Sequence, residues 1–342
     1  MGRMLWPPLS AQTAMNNSNA LDNPFGIHEF LSWNSSPYDP VNLEKSTALM
    51  REAGVGWVRM DFLWSDLEPR SGDFDFARHE DHVNRLEKAG IQILATLAGS
   101  PAWHRDAWNS APEPALFSRW AQATAHHFKN EIRHWEIWHE PDNPQFWQPQ
   151  DGNRAYVELL KQAYAAIKQE ESSAIVHLGG LGQGLPASLK TIYAHGGREC
   201  FDAVDIDPFI HPLMPDALGG LRYFYESAYR VMRHNGDGEK PLWFTAIGAP
   251  GLQDPRQTPD WWLGKNPTEL QQAEWVRRLY TDALRWPGVS KIFWSFFRDT
   301  PGHFGNGTDY CGLVRSDFSK KPAFEVYREI AFKPKPSPAV VL

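Results

Sequence analysis

The chain has 342 residues, 42% of them hydrophobic, and a formal net charge of −7 with acids and bases scattered along it. That length suits one large α/β domain, since a barrel takes about 250 residues plus insertions. The charge balance excludes the basic stripe of a nucleic-acid-binding surface, no apolar run reaches the ~20 residues of a membrane span, and the two cysteines, Cys200 and Cys311, make no disulfide framework.

Strand and helix patterns alternate from end to end. Residues 1–23 read as an irregular, polar extension without an apolar signal core, so the chain reads as cytoplasmic, or as a secreted form whose leader was removed. Strands are predicted over 25–32, 56–63, 91–97, 132–138, 174–178, 203–209, 242–245 and 291–297. Helices are predicted over 43–53, 77–88, 114–128, 153–169, 186–195, 217–234, 269–285 and 323–331. Gly54 and Gly90 follow two of these helices as stops, and Gly179-Gly180 follow strand five. The third strand is apolar almost throughout, as expected when both faces are covered. Eight strands each followed by a helix predict a single (β/α)8 barrel over 24–332, with a Lys-Pro-Lys-Pro-Ser-Pro tail over 333–342. The long connections after strands seven and eight fall on the C-terminal face, where barrel enzymes hold their active sites.

Two strand ends carry the chemistry. Strand four runs into Trp138-His139-Glu140-Pro141, so a carboxylate stands at the barrel mouth among aromatic groups. Such surroundings desolvate a carboxyl, raise its pKa and suit it to general-acid work. Strand seven ends in Thr245-Ala246-Ile247-Gly248, with a methyl group at its mouth. Sixteen tryptophans are a heavy load for this length; flat sugar ligands would use some and core filling the rest. Neither a phosphate loop nor a dinucleotide fingerprint is present, and His79-Glu80-Asp81-His82 lies on a predicted surface helix without a third ligand. The sequence therefore implies no metal and no cofactor.

The segment from Trp135 to Asp142 (WEIWHEPD) resembles the acid/base motif of clan A glycoside hydrolases, Trp-Glu-hydrophobic-Trp-Asn-Glu-Pro, above all that of family 39 and its relatives. Val58–Trp64, Phe201–Pro208, Lys291–Asp299 and Lys321–Tyr327 resemble the second, sixth and eighth strand segments and the closing helix of those enzymes, in the same order. The resemblance implies a retaining glycosidase acting on a β-linked or equivalent glycoside or oligosaccharide, with Glu140 as acid/base. It places position 246 as the nucleophile, where glutamate is expected, Arg59 close to that nucleophile, and Trp294 at the floor of the sugar site. Three departures stand out. Ala246 removes the attacking carboxylate and reads as a Glu→Ala replacement, whether introduced by design or fixed in a natural pseudoenzyme that binds carbohydrate without cleaving it. His139 replaces the asparagine that meets the sugar 2-hydroxyl. Asp207 replaces a histidine, with Phe209 in place of a tyrosine. His28, Trp103 and His211 are further candidates for contacts to substrate, and adjacent Trp261 and Trp262 for stacking on a sugar ring. A remaining possibility pairs Glu140 with Asp207 or Asp299 in an inverting geometry, at roughly 6.5–9.5 Å.

Overall fold

The computed structural model describes residues 22–29, 40–149 and 153–333. Its eight strands are β1 (Phe25–His28), β2 (Trp57–Leu63), β3 (Gln92–Ala98), β4 (His134–Ile137), β5 (Ile175–Leu181), β6 (Ala203–Ile206), β7 (Leu242–Ile247) and β8 (Val289–Ser295). All pair in parallel in sequence order, and β8 returns to β1 to close the barrel. The predicted extension and tail lie outside the described residues except at their inner edges, as does the predicted end of the first strand beyond Glu29.

The covering helices form where amphipathic patterns meet stop and start signals. Helix Ala77–Lys88 ends just before Gly90, which takes a positive φ of 73°. Helix Glu269–Ala283 starts with a reciprocal Thr268/Gln271 capping box, and Asp216 caps helix Ala217–His234. His79 and His82 sit on the inner face of their helix, which was expected at the surface, and both are buried. Among the described residues no helix is long and apolar enough to cross a membrane. Cys200 and Cys311 are free thiols.

Two cores result. The larger lies between strands and helices; the smaller fills the barrel near its N-terminal end with Trp57, Leu94, Trp243 and Phe293. Above that small plug the interior turns polar. His134 contacts His177, and His177 contacts Asp205, both at 2.9 Å. Arg59, Thr96 and Glu136 form the next layer, fully buried. Strand β5 runs through Gly179-Gly180 instead of ending at Leu178. A Cβ on Gly179 would lie 2.5 Å from the Ile137 carbonyl oxygen, and one on Gly180 would lie 2.7 Å from the Asp207 carboxylate. Glycine is needed there for close approach within a strand, so the strand extends past its predicted end.

Candidate active site

Glu140 is held by a loop with little freedom. Trp138 and Glu140 adopt φ of 69° and 39°, in a region that side-chain-bearing residues avoid. Such residues cost of order 1–3 kcal/mol each and gather at functional sites. The neighbours fix this shape: the Trp138 indole donates to the Phe146 carbonyl at 2.7 Å, and Asn153 Nδ2 donates to the Pro141 carbonyl at 3.0 Å. Asp142 accepts from the backbone of Gly182 and Gly184 at 3.0 and 2.7 Å, tying the β4 and β5 ends together. Asn143 Nδ2 donates to Glu140 Oε2 at 2.6 Å.

Beneath Glu140 lies a saturated ion pair. Arg59 donates through Nε and Nη2 to the two oxygens of Glu136 at 2.6 and 2.9 Å. Thr96 Oγ1 and the Gly180 amide donate to the same carboxylate at 2.6 and 2.8 Å. Arg59 also reaches upward, with Nη2 2.9 Å from His139 Nδ1 and Nη1 3.3 Å from His28 Nε2. A guanidinium only donates, so both ring nitrogens accept and each imidazole carries its proton on the opposite nitrogen. Burial, then the Arg59 charge, holds both histidines well below their ordinary pKa, so both are neutral. The second nitrogen of His139 is therefore a neutral donor.

Asp207 lies just past the end of β6. Thr245 Oγ1 donates to its Oδ1 at 2.7 Å. Its Oδ2 is buried and accepts no hydrogen bond among the described residues; His139 Nδ1 stands 3.6 Å away. His139, Glu140 and Asp207 bring one nitrogen or oxygen each within 4.8 Å of one another. Burial, then the Asp207 charge, raises Glu140 to about 8. Burial raises Asp207 to about 7 against the opposing pull of Arg59. One imidazole and two carboxylates are donors that transition metals accept. Arg59, however, occupies His139 Nδ1 and places a permanent positive charge beside the trio, which disfavours a cation.

The structure sorts the remaining candidates. Ala246 is the penultimate residue of β7 and is buried. His28 closes β1, its ring 5.7 Å from Phe296 and 6.0 Å from His139. Trp294 does not form a floor. It is fully buried in the outer core, and its indole donates to the Cys311 carbonyl at 2.8 Å. Alternation along β8 turns Phe293 and Ser295 inward and Trp294 toward the helices. Phe296, unremarked in the sequence, is the aromatic beside His28, and it stacks on Phe304 at 5.9 Å. Trp103 anchors its loop through an indole bond to the Glu68 carbonyl at 2.8 Å. His211 accepts from the Leu213 amide and packs on Trp261 at 5.7 Å. Trp261 is buried, against the expectation of an exposed pair, whereas Trp262 is 53% exposed and lies 5.7 Å from Phe209. Asp299 belongs to loop closure: Lys321 Nζ and the Gly312 amide donate to it at 2.7 and 3.0 Å. Asn143 and Glu136 were also missed as site residues, although both lie within three or four positions of Glu140.

Comparison with known proteins adds a family to this geometry. The family model described as beta-galactosidase, glycoside hydrolase family 42, matches residues 33–114, a window that covers β2 and β3 and stops before Glu140. The beta-galactosidase BglY of Alicyclobacillus acidocaldarius is 40% identical over 78 residues, 22% of this chain and 11% of its own length. A beta-galactosidase of an Arthrobacter species is 32% identical over 100 residues, 28% of this chain and 14% of its own. The chain thus matches only a small part of the length of these curated relatives. Among solved structures, a family 39 glycoside hydrolase from Bacteroides cellulosilyticus superposes with a TM-score of 0.73 at 22% identity, over 90% of this chain and 63% of its own. A monomeric beta-xylosidase from Caulobacter crescentus gives 0.71 at 17% identity, over 91% and 68%. At such identities the structural likeness speaks for the fold alone. Over residues 33–114 the chain is thus similar to family 42 beta-galactosidases, which are clan A glycoside hydrolases, and its barrel is like that of a family 39 member.

Proposed function

We propose that this barrel carries the site of a retaining glycoside hydrolase acting on a β-linked or stereochemically equivalent glycoside. Glu140 protonates the leaving oxygen and then deprotonates the water that releases the sugar. The observation that carries this reading is the state of Glu140: buried at the C-terminal mouth, beside Asp207, and raised to about 8. A carboxyl of that kind is still protonated at neutral pH, as an acid catalyst requires. Arg59 and Glu136 hold His28 and His139 as neutral imidazoles facing the sugar, with His139 toward its 2-hydroxyl. Ala246 vacates the usual nucleophile's place, so this form is disabled for double displacement along the usual route. Loss of a nucleophile costs several orders of magnitude in rate while binding persists.

The test compares the chain with A246E on aryl and alkyl β-galactosides, β-xylosides and related oligosaccharides. A rise of several orders of magnitude in A246E, with retention of anomeric configuration, supports the reading; an A246E protein inactive on every substrate removes it. Ala246 together with exposed Trp262 and Trp108 favours one second reading, a silent barrel that captures carbohydrate. That reading predicts equal sugar affinity and no turnover in both forms.

A further inference from the structure

We infer that Asp207 supplies the second carboxylate of this site, standing in for the side chain that position 246 lacks. The inference rests on Glu140 being the acid/base. Four observations carry it. One oxygen of Asp207 and one of Glu140 lie within 4.8 Å of each other, so the two carboxyl groups border one space, as the two carboxylates of a glycosidase must. Oδ2 of Asp207 is buried without a hydrogen bond among the described residues, while Thr245 fixes Oδ1. An unbonded oxygen on a buried carboxylate is costly unless it serves chemistry. Thr245 precedes Ala246 in β7, so this bond ties Asp207 to the strand end that carries the vacated position. Finally, β5 leaves room for the group only because residue 180 is glycine. Burial raises both carboxyls, and the Asp207 charge raises Glu140 further, so the pair passes through a state with one proton between them.

In that state Asp207 Oδ2 attacks the anomeric carbon. The bond from that carbon to the leaving oxygen breaks, and Glu140 gives its proton to that oxygen. Water then attacks the same carbon, Glu140 takes the water's proton, and the ester bond to Asp207 breaks to return its carboxylate. Asp207 is enclosed, with the partly exposed His139 ring 3.6 Å from Oδ2. Oδ2 meets the anomeric carbon only after that ring shifts on binding the sugar, which makes turnover slow.

The test uses the chain as it stands. It is incubated with 2,4-dinitrophenyl 2-deoxy-2-fluoro-β-glycosides of galactose and xylose, which form the glycosyl-enzyme but release it slowly. Intact mass and peptide mapping follow, with A246E in parallel. The expected result is one fluoroglycosyl group on the peptide bearing Asp207 in the unaltered chain, and its loss in a D207N protein that melts normally. A label at any other residue of the unaltered chain overturns the inference. So does an unlabelled chain when A246E labels at position 246, and in that case the retaining reading survives. If neither protein labels or hydrolyses any glycoside, both fall together.

Discussion

Glu136 and Asp207 are both buried carboxylates in the same barrel, one layer apart, yet they are built for opposite ends. Glu136 accepts four hydrogen bonds, two from Arg59 and one each from Thr96 and the Gly180 amide. Nothing is left with which to meet a ligand. Asp207 accepts one side-chain bond, from Thr245, and its second oxygen accepts none among the described residues. Position in the barrel sets this difference: a layer below the mouth can be satisfied from all sides, whereas the mouth gives up partners to make room for substrate. Burial alone therefore does not mark a reactive carboxyl; the count of its donors does.

The largest effect that would break the contrast is kinetic. In the A246E background, Glu140→Gln is expected to lower the rate on alkyl glycosides by about 10²–10⁴-fold, the usual contribution of a positioned acid. The loss should shrink on dinitrophenyl glycosides, whose leaving group needs no proton. Equal losses on both would mean that Glu140 only positions substrate. Next comes stability. Glu136→Ala leaves the Arg59 charge buried without its partner, at a cost of about 3–5 kcal/mol. Urea melts of Glu136→Ala and Asp207→Asn side by side test this, and Asp207→Asn should be nearly neutral because the amide oxygen still accepts from Thr245.

The same contrast has a pH signature. Glu140 titrates near its ordinary value of 4.5 when unfolded and at about 8 when folded. The folded state then holds a proton that the unfolded state has released, so the stabilising contribution is complete below about 4.5 and is lost as pH rises through about 8. Each pH unit in that window costs at most roughly 1.4 kcal/mol. Asp207 and Asp142 push in this direction, while Asn143 and Arg59 oppose it. Glu140→Gln keeps an acceptor for Asn143 and cannot ionise. Its melting temperature should rise relative to the parent from pH 5 to pH 8; a constant difference across that range would mean that Glu140 is not strained by ionisation.

The eight-fold alternation, the helix stops at Gly54 and Gly90, and the position of Glu140 just past the end of β4 were legible because each rests on local pattern. The errors share one cause, which is that orientation depends on neighbours remote in sequence. Trp294 lies in a motif like that of its relatives, yet β8 turns it toward the helices and leaves Phe296 beside His28. His79 and His82 looked like surface groups until Phe62 and the Asp61 carbonyl were found against His79. Asp207 could be noted as a departure, but its nearness to Glu140 exists only once β4 and β6 pair on either side of β5.

The smallest expected effect separates two adjacent glycines that sequence reading treated alike. A Cβ on Gly179 would meet backbone, the carbonyl oxygens of Ile137 and Trp138 at 2.5 and 2.6 Å. Those carbonyls belong to β4 and to the strained turn that carries Glu140, and Ile137 O already accepts from the Tyr156 hydroxyl at 2.9 Å. They can yield only by spreading the two strands, so Gly179→Ala should cost about 1–3 kcal/mol in thermal stability, as overpacking does. A Cβ on Gly180 would meet only the Asp207 carboxylate, at 2.7 Å. That side chain can rotate off Thr245, so Gly180→Ala should melt closer to the parent than Gly179→Ala does. It should nevertheless abolish labelling at Asp207, since the carboxylate is moved from its place near Glu140. If Gly180→Ala destabilises as much as Gly179→Ala, Asp207 is as rigidly fixed as Glu136, and the distinction between the two carboxylates fails.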